Sequence, residues 1–69
     1  MQIYRYTSTC PIETVDGSYA PTGLVVEFPA YGPVMPDTGE RIRALIQNKY
    51  GITIRAKDPS CWFNFERID

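Results

Sequence analysis

The sequence predicts an α+β fold: a small two-layer sandwich in the order ββαββ, with one helix packed on an antiparallel sheet. Three observations predict it. Ile42, Leu45, Ile46 and Tyr50 recur at helical spacing and make one apolar stripe. Several short stretches alternate with the two-residue period of strands. The chain of 69 residues has no repeat or linker to divide it, so residues 1–69 are expected to form one domain.

The first strand is expected at Gln2–Ser8, which is rich in β-formers. Tyr4 and Tyr6 share one face, and Ile3, Arg5 and Thr7 share the other. The alternation leaves both faces open as the inward one. Pro11 stops the run or confines it to an edge. Asp16-Gly17, between "IETV" and "SYA", is the strongest hairpin signal in the chain. Gly23–Phe28 is the next strand, with Leu24, Val26 and Phe28 on one face and Pro29 as its stop.

The helix begins after "PDTGE". Asp37 and Glu40 have capping-box spacing, with Asp replacing the usual Ser or Thr. Both carboxylates suit the positive end of the helix dipole, and Lys49 suits the negative end. Gly51 follows the last periodic residue, where a left-handed residue closes a helix. Ile52–Lys57 alternates, Asp58–Ser60 is a turn, and Cys61–Ile68 alternates again. Cys61, Phe63 and Phe65 are expected to face inward, against Ile52, Ile54 and Ala56.

Composition narrows the classes of function. Hydrophobic residues make up 43% and charged residues 22%, which suits a globular domain rather than a disordered tail. Aromatics reach 13%, so a small core can bury a large area per residue. The net charge of −1 gives no global field to steer nucleic acid or an anionic membrane. No apolar run approaches the roughly 18 residues of a membrane span, and "MQIYRYTSTC" lacks the basic and apolar regions of a signal peptide. An intact, soluble, cytoplasmic protein is expected, with no membrane role. Two cysteines, Cys10 and Cys61, and no histidine fall short of the four ligands of a zinc site, so no metal is expected, and free thiols follow from a reducing compartment.

Catalysis finds no foothold. Asp37-Thr38-Gly39 resembles the catalytic tripeptide of aspartic proteases, where two such loops pair their carboxylates. Here Pro36 precedes it and Glu40 follows it into a helix, which is the setting of a helix cap. Neither cysteine has a histidine base, and the serines lie in loops without partners. "GPVMPDTG" lacks the spacing and the lysine of a phosphate loop. No enzyme activity and no cofactor are expected.

What remains is surface. Trp, Tyr and Arg dominate binding energy at protein interfaces. A face carrying Arg55 and Trp62 opposite the helix is one candidate. The proline-rich loop "PAYGPVMP" is the other, since Pro29, Pro33 and Pro36 stiffen it and an ordered loop loses little entropy on binding. Tyr31 and Met35 are its candidate contacts. Val34 is expected to fold back and close the core. The expected partner-binding residues are therefore Tyr31, Met35, Arg55 and Trp62, and the expected partner is a larger protein or a second copy.

By size and composition alone, such a chain suits a stoichiometric regulator or inhibitor. Small inhibitors encoded by phages and mobile elements, anti-CRISPR-like and other anti-host proteins included, have this general look. The alternative is a single-stranded nucleic-acid binder that stacks bases on the open sheet face around Trp62.

Overall fold

The computed structural model describes residues 1–69. Its main sheet is built around β1, Gln2–Ser8. β4, Val25–Ala30, pairs with one side of β1, and β5, Phe63–Arg67, pairs with the other. Both pairings are antiparallel and the strand order is β4-β1-β5. One helix, α1 (Thr38–Tyr50), packs on this sheet, which makes the two-layer α+β sandwich that the sequence predicts.

The pairing decides which face of β1 points inward. Tyr4 lies opposite Phe28, and Tyr6 lies opposite Val26 on one side and Phe65 on the other. Tyr4 and Tyr6 are buried, and the Tyr6 ring stacks on Phe28 with centroids 4.8 Å apart. Ile3, Arg5 and Thr7 take the face away from the helix. There Arg5 lies opposite Glu27 and Glu66, so its guanidinium is paired rather than buried alone.

The helix stripe is the core face. Ile42 and Ile46 are fully buried and Leu45 is partly buried against them, but Tyr50, expected in the stripe, is exposed at the end of the helix, where its hydroxyl accepts from the Val25 N–H. Arg41 lies over the Phe28 ring at 4.3 Å, a cation–π contact at the rim. Gly51 ends the helix with φ 72°, and its N–H bonds the Gln47 carbonyl at 2.9 Å. The expected capping box does not form, because Asp37 makes no side-chain cap bond. Thr38, the first residue of the helix, ties the preceding loop to it. Its hydroxyl accepts from the Met35 N–H at 2.7 Å, while its own N–H donates to the Met35 carbonyl at 3.1 Å.

Asp16-Gly17 does turn a hairpin. β2 (Ile12–Glu13) and β3 (Tyr19–Ala20) are short and antiparallel, and Gly17 takes φ 87° between them. The Asp16 carboxylate accepts from the Ser18 N–H at 3.0 Å and from the Thr14 hydroxyl. Those bonds, the Thr14 one foremost, hold its pKa below the ordinary aspartate value.

Three boundaries differ from expectation. Ile52–Lys57 is not a strand of the main sheet. It runs beside the small hairpin, where Ile54 bridges Thr14, Val15 N–H bonds Thr53 O, and Arg55 N–H bonds Glu13 O, both at 3.0 Å. The alternation is real, since Ile54 is fully buried, but it serves the hairpin side of the core. Next, Ser60–Trp62 is a 3-10 turn, so β5 begins at Phe63 and not at Cys61. Asp58 shapes that turn by accepting from the Ser60 hydroxyl at 2.6 Å and N–H at 3.2 Å. Last, Pro29 does not stop β4. It lies within the strand opposite Ile3 at the sheet edge, where the N–H it lacks is not needed.

Cys10 is half-buried, Cys61 is exposed, and no disulfide joins them. No helix is long and apolar enough to cross a membrane.

Candidate protein-binding loop

The segment from Tyr31 to Asp37 links β4 to α1, and it is held from beneath at two points. The Tyr6 hydroxyl donates to the Pro33 carbonyl at 2.7 Å. The reciprocal Met35–Thr38 bonds close the end that enters the helix. Both Tyr6 and Thr38 are buried, so the anchors belong to the core. Burial, the largest influence, raises the Tyr6 phenol above its ordinary pKa, and the Tyr4 side chain adds to the rise. The phenol therefore stays protonated and keeps donating to the loop.

The outer side of the loop is apolar. Tyr31 is 76% exposed, Val34 68% and Met35 36%. The loop folds back so that Met35 lies beside Gly32, where a Cβ would stand in ordinary contact, 3.5 Å from the Met35 sulfur. Val34 corrects an expectation: it points away from the core instead of closing it. The hydrogen bond that holds the loop uses the backbone of Pro33, so no apolar side chain is needed as a plug.

Arg55 and Trp62 are not brought together on the open sheet face. That expectation assumed a hairpin of two long strands, which the 3-10 turn replaces. Arg55 lies beside the small hairpin, with its guanidinium 3.3 Å from Glu13. Trp62 ends the 3-10 turn, 37% exposed, and its carbonyl accepts from the Thr9 N–H at 2.9 Å and hydroxyl at 3.1 Å. The face opposite the helix carries Arg5 instead, bonded to Glu27 at 2.7 Å and to Glu66 at 3.0 Å. Those two bonds, Glu27 first, raise the Arg5 pKa.

The Asp37-Thr38-Gly39 tripeptide is a packing element. Gly39 is buried against the Asp58–Ser60 turn, and a Cβ at position 39 would stand 2.8 Å from the Asp58 Cα. The widest hollow, about 290 Å³, is lined by Thr14, Val15, Asp16, Tyr19 and Ile52 among others. The Asp16 carboxylate there already accepts from the Thr14 hydroxyl. No group of three or more Cys, Asp or Glu side chains is gathered as a metal site would gather them.

Val34, Cys61 and Phe65, all expected to face inward, are exposed, Cys61 because it lies in the 3-10 turn and not in a strand. Phe65 is 49% exposed because α1 packs chiefly over β4, at the other side of the sheet. A strand alternation shows which face a residue takes but not how far a single helix reaches across it. Compared with family models, with curated proteins and with solved structures, the chain matches none.

Proposed function

We propose that this chain is a non-catalytic protein-binding domain that regulates a larger protein by occupying part of its surface, one copy per site. A single observation carries the reading. The loop between β4 and α1 is tied to the core through Tyr6 and Thr38, yet it turns Tyr31, Val34 and Met35 outward. Apolar side chains on a pre-ordered loop bind at low entropic cost, and a tyrosine among them is a favoured hot spot. The core does not use these side chains, so their arrangement serves something outside the chain. A stoichiometric inhibitor of the kind carried by phages and mobile elements fits such a surface, acting in the cytoplasm and needing no cofactor.

Trp62 and Arg55 lie off the loop and are secondary contacts in this reading. No observation favours the nucleic-acid alternative, since the open sheet face presents an arginine neutralised by two glutamates and no stacking ring. The test is site-specific photocrosslinking. A benzophenone residue at position 31 should capture one defined protein, at one copy each, from extract of the cells that express the chain. The same probe at Lys57 should capture it weakly or not at all. Equal capture from both positions would refute a loop-centred surface.

A further inference from the structure

The two edges of the main sheet are treated differently. β4 is closed as a pairing edge. The Val25 N–H donates to the Tyr50 hydroxyl at 3.0 Å, its carbonyl accepts from Lys49 Nζ at 2.9 Å, and Pro29 has no N–H to offer. A proline in the outer strand, and helix side chains that occupy its outward backbone groups, stop a sheet from adding strands there.

β5 has neither. Its ladder to β1 is bounded by Thr9 N–H to Trp62 O and by Ile68 N–H to Ile3 O. Even-numbered residues of β5 therefore turn their backbone groups toward β1. By the alternation of an antiparallel ladder, Phe63, Phe65 and Arg67 turn theirs outward. The Phe63 N–H is used by the Ser60 carbonyl, but no strand covers Phe65 or Arg67. The side chain of Phe65 is also half-exposed, on the part of the helix-side face that α1 leaves bare.

We infer that β5 pairs with β5 of a second copy, antiparallel about a two-fold axis at Phe65, joining two three-stranded sheets into one. The register follows from the residues. Opposed residues must share a face, so only shifts by whole pairs are allowed. Centred on Phe65, the two Phe65 residues exchange ladder bonds, and each Arg67 N–H donates to the other chain's Phe63 carbonyl. Asn64 then faces Glu66 of the copy, an amide opposite a carboxylate. The two exposed Phe65 rings meet on the bare part of the sheet. One shift sets Glu66 against Glu66, which repels. The opposite shift asks the 3-10 turn at Cys61 to act as strand, which its backbone does not allow. Charge and backbone shape thus select one self-complementary register, as a two-fold interface requires.

The test uses the full chain made by chemical synthesis with N-methyl-Phe65, which removes only the outward N–H. Sedimentation velocity over a concentration series should show a monomer–dimer equilibrium for the parent. The N-methyl chain should dissociate about tenfold more readily or not dimerise, with an unchanged circular dichroism spectrum. In a mixed-isotope sample of the parent, an intermolecular NOE should join the Asn64 and Glu66 α-protons. A parent that stays monomeric at NMR concentration would overturn the inference. So would a dimer indifferent to N-methylation, a dimer lacking that NOE, or an N-methyl chain that fails to fold, since the N–H would then be engaged within the monomer. Tyr31→Ala should leave the dimer intact, which separates this edge from the loop.

Discussion

The Tyr6 hydroxyl donates to the Pro33 carbonyl at 2.7 Å, so a core side chain of the central strand fixes the loop that exposes Tyr31 and Val34. The same ring stacks on Phe28 and lies near Phe65 and Tyr4. Tyr6 thereby couples sheet packing to loop shape. Tyr6→Phe should keep the stack and lose the bond, at a cost of about 1 kcal/mol in chemical denaturation. Amide exchange should quicken in the loop and stay slow in β1. Equal protection in loop and strand would show that the bond does not hold the loop.

The raised pKa of Tyr6 gives a pH dependence with a definite sign. Folding favours its protonated form, so its contribution is complete below the ordinary tyrosine pKa near 10. It is lost as pH rises through the higher folded value. Stability should fall across this alkaline window in the parent more than in Tyr6→Phe. Parallel curves would remove Tyr6 as the source.

Gly39→Ala should destabilise the chain, although alanine is the better helix former by about 1 kcal/mol. The added methyl would stand 2.8 Å from the Asp58 Cα, which is backbone and cannot step aside cheaply. Overpacking of this kind costs roughly 1–3 kcal/mol. A rise in melting temperature would show that α1 does not lie on the Asp58 turn.

Ile46→Ala should cost about 2–5 kcal/mol, since Ile46 is fully buried between helix and sheet. Leu45→Ala should cost less, because Leu45 only flanks that core. Urea titrations of the two variants check the order. A larger loss at Leu45 would mean the helix is rotated from the orientation described.

Much of this was legible in the sequence, for reasons that are local. Gln2–Ser8, the Asp16-Gly17 hairpin, the Ile42–Ile46 stripe and the Gly51 stop all follow from nearest-neighbour chemistry. The fate of Ile52–Lys57 did not, because alternation shows two faces but not which sheet receives them. The Asp37–Glu40 spacing places the helix start correctly but not the capping bond, because Asp37 takes the N-cap position without a side-chain hydrogen bond. Loop composition marks Tyr31 and Met35 as apolar but not which way they point, and the structure leaves both exposed. The expected meeting of Arg55 and Trp62 on the open sheet face does not occur, since it depends on a strand pairing that the 3-10 turn replaces.

The most direct measurement is isothermal calorimetry between the chain and the purified protein captured through position 31. The account predicts one-to-one binding that Tyr31→Ala or Met35→Ala weakens by more than ~1 kcal/mol, with thermal stability nearly unchanged. Full affinity in both variants, or a loss of affinity that tracks a loss of folding, would contradict it.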